Sequence, residues 1–455
     1  MIRPIPWSHL AARFRPAGKS LCATVSCCLA LVAARGAAQA PDQAMLPPPP
    51  VPPASDDYTR YELLAPDTAS FRIVYEVTAT RPGARAYFNP IRKGSVASDE
   101  AVYDRMTGTK LAFEVVSGAA ARAAGEMDAD LDTDYIKVSL PRPVPADGGV
   151  RLRIDKTYKD PKSYFRDGDL IVYSRSLGIR RNAVVLPAGY ELVSCNYPSQ
   201  VITAQDGRTT ASFINIGPRD VPFVVKARKQ PAAGRAAPAV QGQPAAVATR
   251  PPGALPPAAP QPSEASRLSE RAHQDRDIVY FLQPPETHAF RLYHDYTESR
   301  EGVNSYVNVV RQGSTVSNPS ARILDTGEAL AHETLRGDAV AKAKLDIGEP
   351  VRPDTEVVVV HFKPVAPGQS IRLRIEETYA DPGRYFLRGD ELVFDRELGR
   401  PSNAVVLPEG WFITASAVPA IVSETPDGRI RLDYVNPRSD DVSVLVKARR
   451  RQAGM

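Results

Sequence analysis

The sequence predicts an all-β protein with two homologous antiparallel β-sandwich domains in tandem, joined by a disordered Pro/Ala-rich linker. Three observations lead to this fold class. Two long stretches of the chain repeat each other, and each consists of short alternating segments rich in Val, Ile and Tyr. The stretch between them consists largely of Ala, Pro, Gly, Gln and Ser, which cannot bury enough apolar surface to fold.

The N-terminal segment, from Met1 to Ala40, has the pattern of a secretory signal peptide. Basic residues without acidic neighbours precede an apolar run over residues 21–34, and Ala38-Gln39-Ala40 supplies the small residues of a cleavage site. The run is shorter than the roughly 20 residues of a spanning helix. We therefore expect cleavage after Ala40, a periplasmic or extracellular location and no integral membrane span in the mature chain. An uncleaved N-terminal anchor is the alternative.

Loss of this segment changes the charge balance and the cysteine count. Five of the 57 Lys and Arg residues lie in it, which leaves 52 basic against 52 acidic residues. A neutral chain lacks the basic excess that neutralises phosphates, so no nucleic-acid partner is predicted. Cys195 is the only one of the four cysteines that remains, which excludes an intrachain disulfide.

Two spacers delimit the domains. Residues 41–57 contain four consecutive prolines, and residues 230–276 form the Pro/Ala-rich linker; both are predicted to be disordered. The β-sandwich repeats are accordingly assigned to residues 58–229 and 277–450.

Direct comparison of the two stretches shows the duplication. YFNPIRKGS at 87–95 matches YVNVVRQGS at 306–314. Further along, NAVVLP at 182–187 recurs unchanged at 403–408, and the offset between the copies has grown by only two positions. Agreement over such lengths at a nearly constant offset indicates homologous domains.

Each repeat is predicted to consist of short strands bounded by turn residues. A short helix or loop is expected at 118–125, with a counterpart near 329–344. The clearest predicted strands are 72–78, 135–140, 150–156, 170–174 and 222–227 in the first repeat, and 357–362, 370–376, 391–395 and 443–448 in the second.

One polar cluster recurs in both repeats and is the candidate ligand-binding site. Each copy combines an arginine with two nearby serines, whose guanidinium and hydroxyl groups can bind a sugar or a carboxylate. The structural alternative is a turn followed by an ordinary strand edge. The candidate residues are Arg92, Ser95 and Ser98 in the first repeat and Arg311, Ser314 and Ser317 in the second.

Several other motifs have simpler structural interpretations. Arg388-Gly389-Asp390 is a known adhesion tripeptide, but both repeats retain only Gly-Asp there, as a hairpin turn requires. Alternating aspartates at 128–134 lack the spacing of a calcium loop, so a solvated acidic loop is favoured. Tyr158 and Tyr379, beside Asp-Pro turns, can hold a sugar, although packing over the turn is the commoner role.

The sequence contains none of the catalytic motifs that can be recognised by spacing. It has no His-Glu-x-x-His, no Gly-x-Ser-x-Gly, no phosphate-binding glycine loop and no cysteine pair spaced for zinc. We therefore predict no metal, no cofactor and no catalytic residue, and an enzyme is the less favoured interpretation. Cys195 is expected to be a small buried residue.

Each repeat also shows a recognisable progression of motifs. A strand and a Pro-containing loop precede Arg-x-Arg-Ile, a Tyr-x-Asp-Pro turn, and Asn-Ala-Val-Val-Leu-Pro followed by Gly and an aromatic residue. In this order each repeat resembles the N-terminal β-domain of M1-type gluzincin metallopeptidases. The resemblance implies a β-sandwich with an accessory role. The zinc-binding helix of that family is missing from the sequence, so no catalytic residue is carried over.

These observations together predict an exported, non-catalytic binding or envelope-associated protein. Its expected partner is a cell-envelope polysaccharide or another protein, and two copies would permit bivalent attachment. The alternative from another class is a secreted hydrolase of glycans or peptides, acting through carboxylates that the fold brings together. A structural periplasmic scaffold is a third possibility.

Overall fold

The computed structural model describes most of the two sequence repeats. The described residues are 57–231 except Pro218, and 277–451 except Asp346, Glu349 and Ser439. The predicted signal peptide lies outside them, as do residues 41–56 of the first spacer and 232–276 of the linker. None of the described helices is long and apolar enough to cross a membrane.

The described part of the first repeat is built almost wholly of strands. Its strands are β1 (Tyr58–Leu63), β2 (Ser70–Ala79), β3 (Ala86–Pro90), β4 (Val96–Asp104), β5 (Lys110–Leu111), β6 (Phe113–Ser117), β7 (Asp134–Ser139), β8 (Val150–Lys159), β9 (Tyr164–Asp167), β10 (Leu170–Leu177), β11 (Arg181–Val185), β12 (Tyr190–Thr203), β13 (Thr209–Ile214) and β14 (Val221–Lys229). A short helix spans Gly118–Ala123, and a single 3-10 turn spans Pro66–Thr68.

The second repeat has the same order of elements, except that the short strand β5 is reduced to one bridge between Arg322 and Ala329. Its strands are β15 (Asp277–Leu282), β16 (Ala289–Glu298), β17 (Ser305–Val309), β18 (Thr315–Ile323), β19 (His332–Arg336), β20 (Glu356–His361), β21 (Ile371–Ala380), β22 (Tyr385–Arg388), β23 (Glu391–Leu398), β24 (Ser402–Val406), β25 (Trp411–Glu424), β26 (Ile430–Val435) and β27 (Val442–Arg450). A helix spans Asp338–Ala343 and a 3-10 turn Pro285–Thr287.

The predicted all-β class is confirmed, and each predicted strand falls on an observed one. In the first repeat the main sheet has the order β5-β4-β8-β2-β1-β11-β13-β12-β14-β10-β9, and β3-β7-β6 form a smaller sheet. The second repeat follows the same order. All these pairs are antiparallel except β1 with β11 and β15 with β24.

The main sheet curls so that its two ends enclose the core. Phe71 on β2 and Tyr173 on β10 lie far apart in the strand order, yet their rings meet edge to face at 5.4 Å. Alternate residues of β8 face inward, as the twofold period of a strand requires. Leu152, Ile154 and Tyr158 are all buried in this way. The result is the sandwich that the sequence predicts.

The two repeats are joined by direct strand pairing. β12 pairs antiparallel with β25, so that Cys195 lies opposite Val422 and Val201 opposite Ser416. Cys195 is equivalent to Ser416, and Val201 to Val422, at the same offset that relates the two NAVVLP segments. The pairing therefore has approximate twofold symmetry. Its register shifts near the midpoint.

Ion pairs reinforce this junction between the repeats. Arg228 donates two hydrogen bonds to Glu424, at 2.8 and 3.0 Å. Arg451 donates to the buried carboxylate of Glu191 at 2.7 Å. One continuous hydrophobic cluster contains buried residues of both repeats, and the described residues belong to a single compact unit.

Candidate ligand-binding pockets

Each repeat contains a pocket at the same place in its fold. The first pocket, of about 210 Å³, is lined by Thr59, Tyr61, Ile73, Tyr75, Tyr87, Asn89, Pro90, Arg92, Lys156, Tyr158, Arg175 and Ile179. The second pocket, of about 350 Å³, is lined by Ile278, Tyr280, Leu292, His294, Asn308, Val309, Arg311, Glu377, Tyr379, Arg396, Glu397, Gly399, Arg400 and Asp441.

Strand register builds the floor of the first pocket. Tyr61 on β1 lies opposite Ile73 on β2, which in turn lies opposite Lys156 on β8. Side chains that are directly opposite on neighbouring strands project from the same face of a sheet. Three adjacent strands thus present one row of side chains to the pocket. In the second pocket the corresponding row is Tyr280, Leu292 and Glu377.

A buried ion pair supports one wall of each pocket. Arg175 donates to Asp160 at 3.1 Å in the first repeat, and Arg396 donates to Asp381 at 2.9 Å in the second. All four side chains are buried. Burial opposes ionisation of Asp160, but hydrogen bonds from Ser163 and other donors, with the charge of Arg175, lower its pKa below the ordinary value.

The first pocket contains a buried lysine. The Lys156 ammonium donates to Asn89 Oδ1 at 2.5 Å and lies 4.9 Å from the centre of the Tyr158 ring. Burial, and then the charge of Arg175, lower the pKa of Lys156 to about 7. The ammonium group of Lys156 therefore loses its proton as the pH rises through neutrality. The hydroxyls of Tyr75 and Tyr87, which also line the pocket, lie 3.4 Å apart.

The second pocket replaces this lysine by a buried glutamate. Asn308 Nδ2 donates to Glu377 Oε2 at 2.7 Å, and burial raises the pKa of Glu377 to about 7. The other oxygen of Glu377, Oε1, has no hydrogen-bond partner among the described residues, and neither does Nε2 of His294. Burial, and then the charge of Arg400, lower the pKa of His294 to about 3, so its imidazole is neutral.

Two of the six sequence-predicted site residues line these pockets. Arg92 lies at the rim of the first pocket, where its side chain donates to the backbone carbonyl of Ser176 at 3.2 Å. Arg311 lies at the equivalent rim of the second pocket and is paired with Glu397 and Asp441. Among the described residues, Arg311 has carboxylate partners and Arg92 has none. The two rim arginines therefore lie in different charge environments.

The four predicted serines do not line the pockets. Ser95 donates to Asp160 at 3.2 Å, and Ser314 donates to Asp381 at 3.0 Å, so both hydroxyls support the buried ion pairs. Ser98 donates to Asp99 at 3.1 Å, and Ser317 to a backbone carbonyl of β21 at 3.3 Å. The structure brings each arginine together with tyrosines and an asparagine rather than with these serines.

Sequence reasoning missed the residues at the pocket floor. Lys156 and Glu377 occupy equivalent positions in the two repeats, within RIDKTY and RIEETY. Both face inward on their strands, in line with buried apolar neighbours. The sequence does contain a signal for these residues. Each is a charged residue at an inward-facing position of an alternating strand, and the equivalent position in the other repeat has the opposite charge.

The other motifs have structural roles. Gly389 has a φ of 64° in the turn between β22 and β23, so Arg388-Gly389-Asp390 forms the expected hairpin. Asp130 in the acidic loop pairs with Lys93 at 2.9 Å. Within the described ranges, no three His, Cys, Asp or Glu residues converge as a metal site. Cys195 is buried in β12, as predicted, and burial raises the pKa of its thiol.

Comparisons with known proteins give a likeness of fold. No family model matches the chain, and neither does any curated protein. A crystal structure of an M1 zinc metallopeptidase from Deinococcus radiodurans matches at 13% identity, covering 38% of this chain and 41% of that one, with a TM-score of 0.26. An aminopeptidase N family protein from Idiomarina loihiensis matches at 8% identity, covering 38% and 29%, with a TM-score of 0.25. The chain thus spans about two fifths or less of these proteins. These partial matches of low identity are to the family that the sequence resemblance names.

Proposed function

We propose that this chain is an exported, non-catalytic binding protein whose two β repeats hold small polar groups of a larger ligand in their equivalent pockets. The observation that carries the proposal is the duplication of one polar arrangement. Five lining residues are identical at equivalent positions: Tyr61 and Tyr280, Asn89 and Asn308, Arg92 and Arg311, Tyr158 and Tyr379, and Arg175 and Arg396.

The chemistry of these residues suits a sugar or another polar ring. Tyrosine offers an apolar face and a hydroxyl, asparagine offers both a donor and an acceptor, and arginine offers a fork of donors. Binding sites commonly combine aromatic walls with a few fixed polar groups in this way. The ligand class expected from the sequence, a cell-envelope polysaccharide or a protein, is retained in the proposal.

Two pockets in one compact unit support bivalent attachment to a repeating ligand. The second contact is then intramolecular and benefits from a high effective concentration. Inactivation of one pocket should weaken binding to a polymer far more than binding to its monomer. Equal losses for polymer and monomer would argue against bivalency.

Thermal unfolding of residues 41–455 with envelope glycans and peptidoglycan fragments tests the proposal. A ligand present at 100 times its dissociation constant stabilises the folded state by about 2.7 kcal/mol. We expect such a shift to decrease with Arg92→Ala or Arg311→Ala. Arg388→Ala is the matched control, because Arg388 is exposed and lines neither pocket. Absence of any shift across the panel would contradict the proposal.

One observation favours hydrolysis as a second candidate function. The lining of the second pocket includes three acidic residues, Glu377, Glu397 and Asp441. The raised pKa of Glu377, about 7, would suit a general acid. Release of reducing ends from glycans, or of amines from peptides, would then be lost in Glu377→Gln. The exposed Glu409→Gln variant is the control, and activity that survives Glu377→Gln would exclude this role for Glu377.

A further inference from the structure

The lining of the first pocket carries an unbalanced positive charge. Its charged residues are Arg92, Lys156 and Arg175, and no carboxylate of the described residues lines it. Asp160, behind the wall, neutralises Arg175 through the ion pair described above. Within the described ranges, Lys156 and Arg92 have no carboxylate in hydrogen-bond contact. The charge of Glu100 raises the pKa of Lys156, but burial and the charge of Arg175 lower it by more.

The second pocket shows that this charge is a property of one repeat rather than of the fold. At the position of Lys156 it has Glu377, and its rim arginine, Arg311, contacts Glu397 and Asp441. Its lining therefore contains three carboxylates where the described lining of the first pocket contains none. Arg400 lines the second pocket where the first pocket has Ile179, so the second lining combines three arginines with three carboxylates, whereas the charged residues of the first lining are all cations.

Lys156 has unused capacity for hydrogen bonds. An ammonium group carries three donors, and Asn89 accepts one from it. The residue is only 5% exposed, so bulk water cannot freely supply the other acceptors. Burial of a cation is costly unless it is paired. An anionic group in the pocket would supply both the missing acceptors and the missing charge.

We infer that the first pocket binds the carboxylate of a small sugar acid, with Lys156 at the floor and Arg92 at the rim as its two cationic contacts. This inference rests on the proposed function and names the ligand class of one pocket. Tyr75 and Tyr87, which are only partly buried, supply aromatic surface for the sugar ring, and Asn89 supplies an amide beside it.

Binding should also be linked to protonation of Lys156. The anion interacts more strongly with the ammonium than with the neutral amine, so it raises the pKa of the lysine. At pH 8 the bound state therefore takes up a proton that the free state lacks. Calorimetric titrations in two buffers with different ionisation enthalpies would report this proton uptake.

The test is isothermal titration of residues 41–455 with glucuronate, glucose, glucosamine and inorganic phosphate. We expect glucuronate to bind at least tenfold more tightly than glucose or glucosamine. Lys156→Met and Lys156→Gln should each weaken glucuronate binding at least tenfold and abolish the proton uptake at pH 8. Lys159→Met, an exposed lysine on the same strand, should change neither quantity.

The outcomes separate this inference from the proposed function. If glucose binds as tightly as glucuronate, or if both Lys156 variants bind glucuronate normally, the first pocket is not an anion site, although pocket binding stands. If phosphate binds and glucuronate does not, the assignment to a carboxylate is overturned. If no envelope glycan or monosaccharide binds to either pocket, the proposed function fails and the inference fails with it.

Discussion

Replacement of Lys156 by methionine should stabilise the protein at neutral and acidic pH. The pKa of Lys156 is about 7 in the folded chain and 10.5 for the free side chain. Each pKa unit corresponds to about 1.36 kcal/mol, so the charged lysine costs the folded state about 5 kcal/mol below pH 7. Methionine has a similar length, carries no charge and leaves only the Asn89 acceptor without its donor, a loss of roughly 1 kcal/mol.

The sign of the pH dependence follows from proton binding. Between pH 7 and pH 10.5 the unfolded chain binds more protons at this position than the folded chain does. Stability of the parent protein therefore rises with pH across this window, and the advantage of Lys156→Met declines over the same range. We expect a gain of about 4 kcal/mol at pH 6 that nearly disappears at pH 10.

Urea unfolding at pH 6, 8 and 10 measures this difference. Lys159→Met is the matched control, because Lys159 is exposed on β8 and its replacement should change stability by less than about 0.5 kcal/mol. A stability difference between Lys156→Met and the parent that is the same at pH 6 and pH 10 would refute the reasoning. So would destabilisation by Lys156→Met at pH 6.

Two further changes test the second pocket and the junction between the repeats. Burial raises the pKa of Glu377 from 4.5 to about 7, so the stability that this group contributes is greatest below pH 4.5 and is lost as the pH rises through 7. Glu377→Gln should therefore stabilise by about 3 kcal/mol above pH 7 and have little effect at pH 4, with a pH slope opposite to that of Lys156→Met in the same urea experiment. Arg451→Ala leaves the buried carboxylate of Glu191 unpaired and should lower the free energy of unfolding by about 3 to 5 kcal/mol, whereas the exposed Arg449→Ala should cost less than about 1 kcal/mol. Equal effects of the two arginine variants would show that the ion pair does not hold the junction.

The strands could be predicted because their signal is local. The alternation of Leu152, Ile154 and Tyr158 appears in the sequence itself, and the strand predicted at 150–156 is the central part of β8. The same is true of the duplication, since equivalent residues keep almost one offset along the chain. Such patterns depend only on neighbouring residues or on direct comparison of letters.

The pockets could not be predicted in the same way because their walls come from distant strands. Lys156 and Asn89 are 67 residues apart, yet they share a hydrogen bond. Arg175 reaches Asp160 only because β9 and β10 form a hairpin after the aspartate. The sequence shows that the arrangement of Arg92 and Ser95 recurs in the second repeat. It does not show whether the serine hydroxyl supports a buried carboxylate or faces a ligand.

The pairing of β12 with β25 was also beyond the sequence. Composition of the linker indicates a spacer, but it contains no information on whether the domains that it connects form main-chain hydrogen bonds with each other. That pairing depends on the edges left free in each sheet and on their compatibility. The parallel pairing of β1 with β11 was missed for a similar reason, because the residues between these strands form the rest of the sandwich.

The approximate twofold symmetry of the junction has a consequence for how the two pockets can differ. A homodimer assembled from one small domain must carry the same side chain at both copies of every position, so any change in ligand preference affects both sites together. In this chain the two repeats are separate parts of one sequence and can change independently. One repeat has lysine at position 156, and the other has glutamate at the equivalent position 377. Covalent fusion thus keeps the geometry of a symmetric pair while it allows the two pockets to differ in charge.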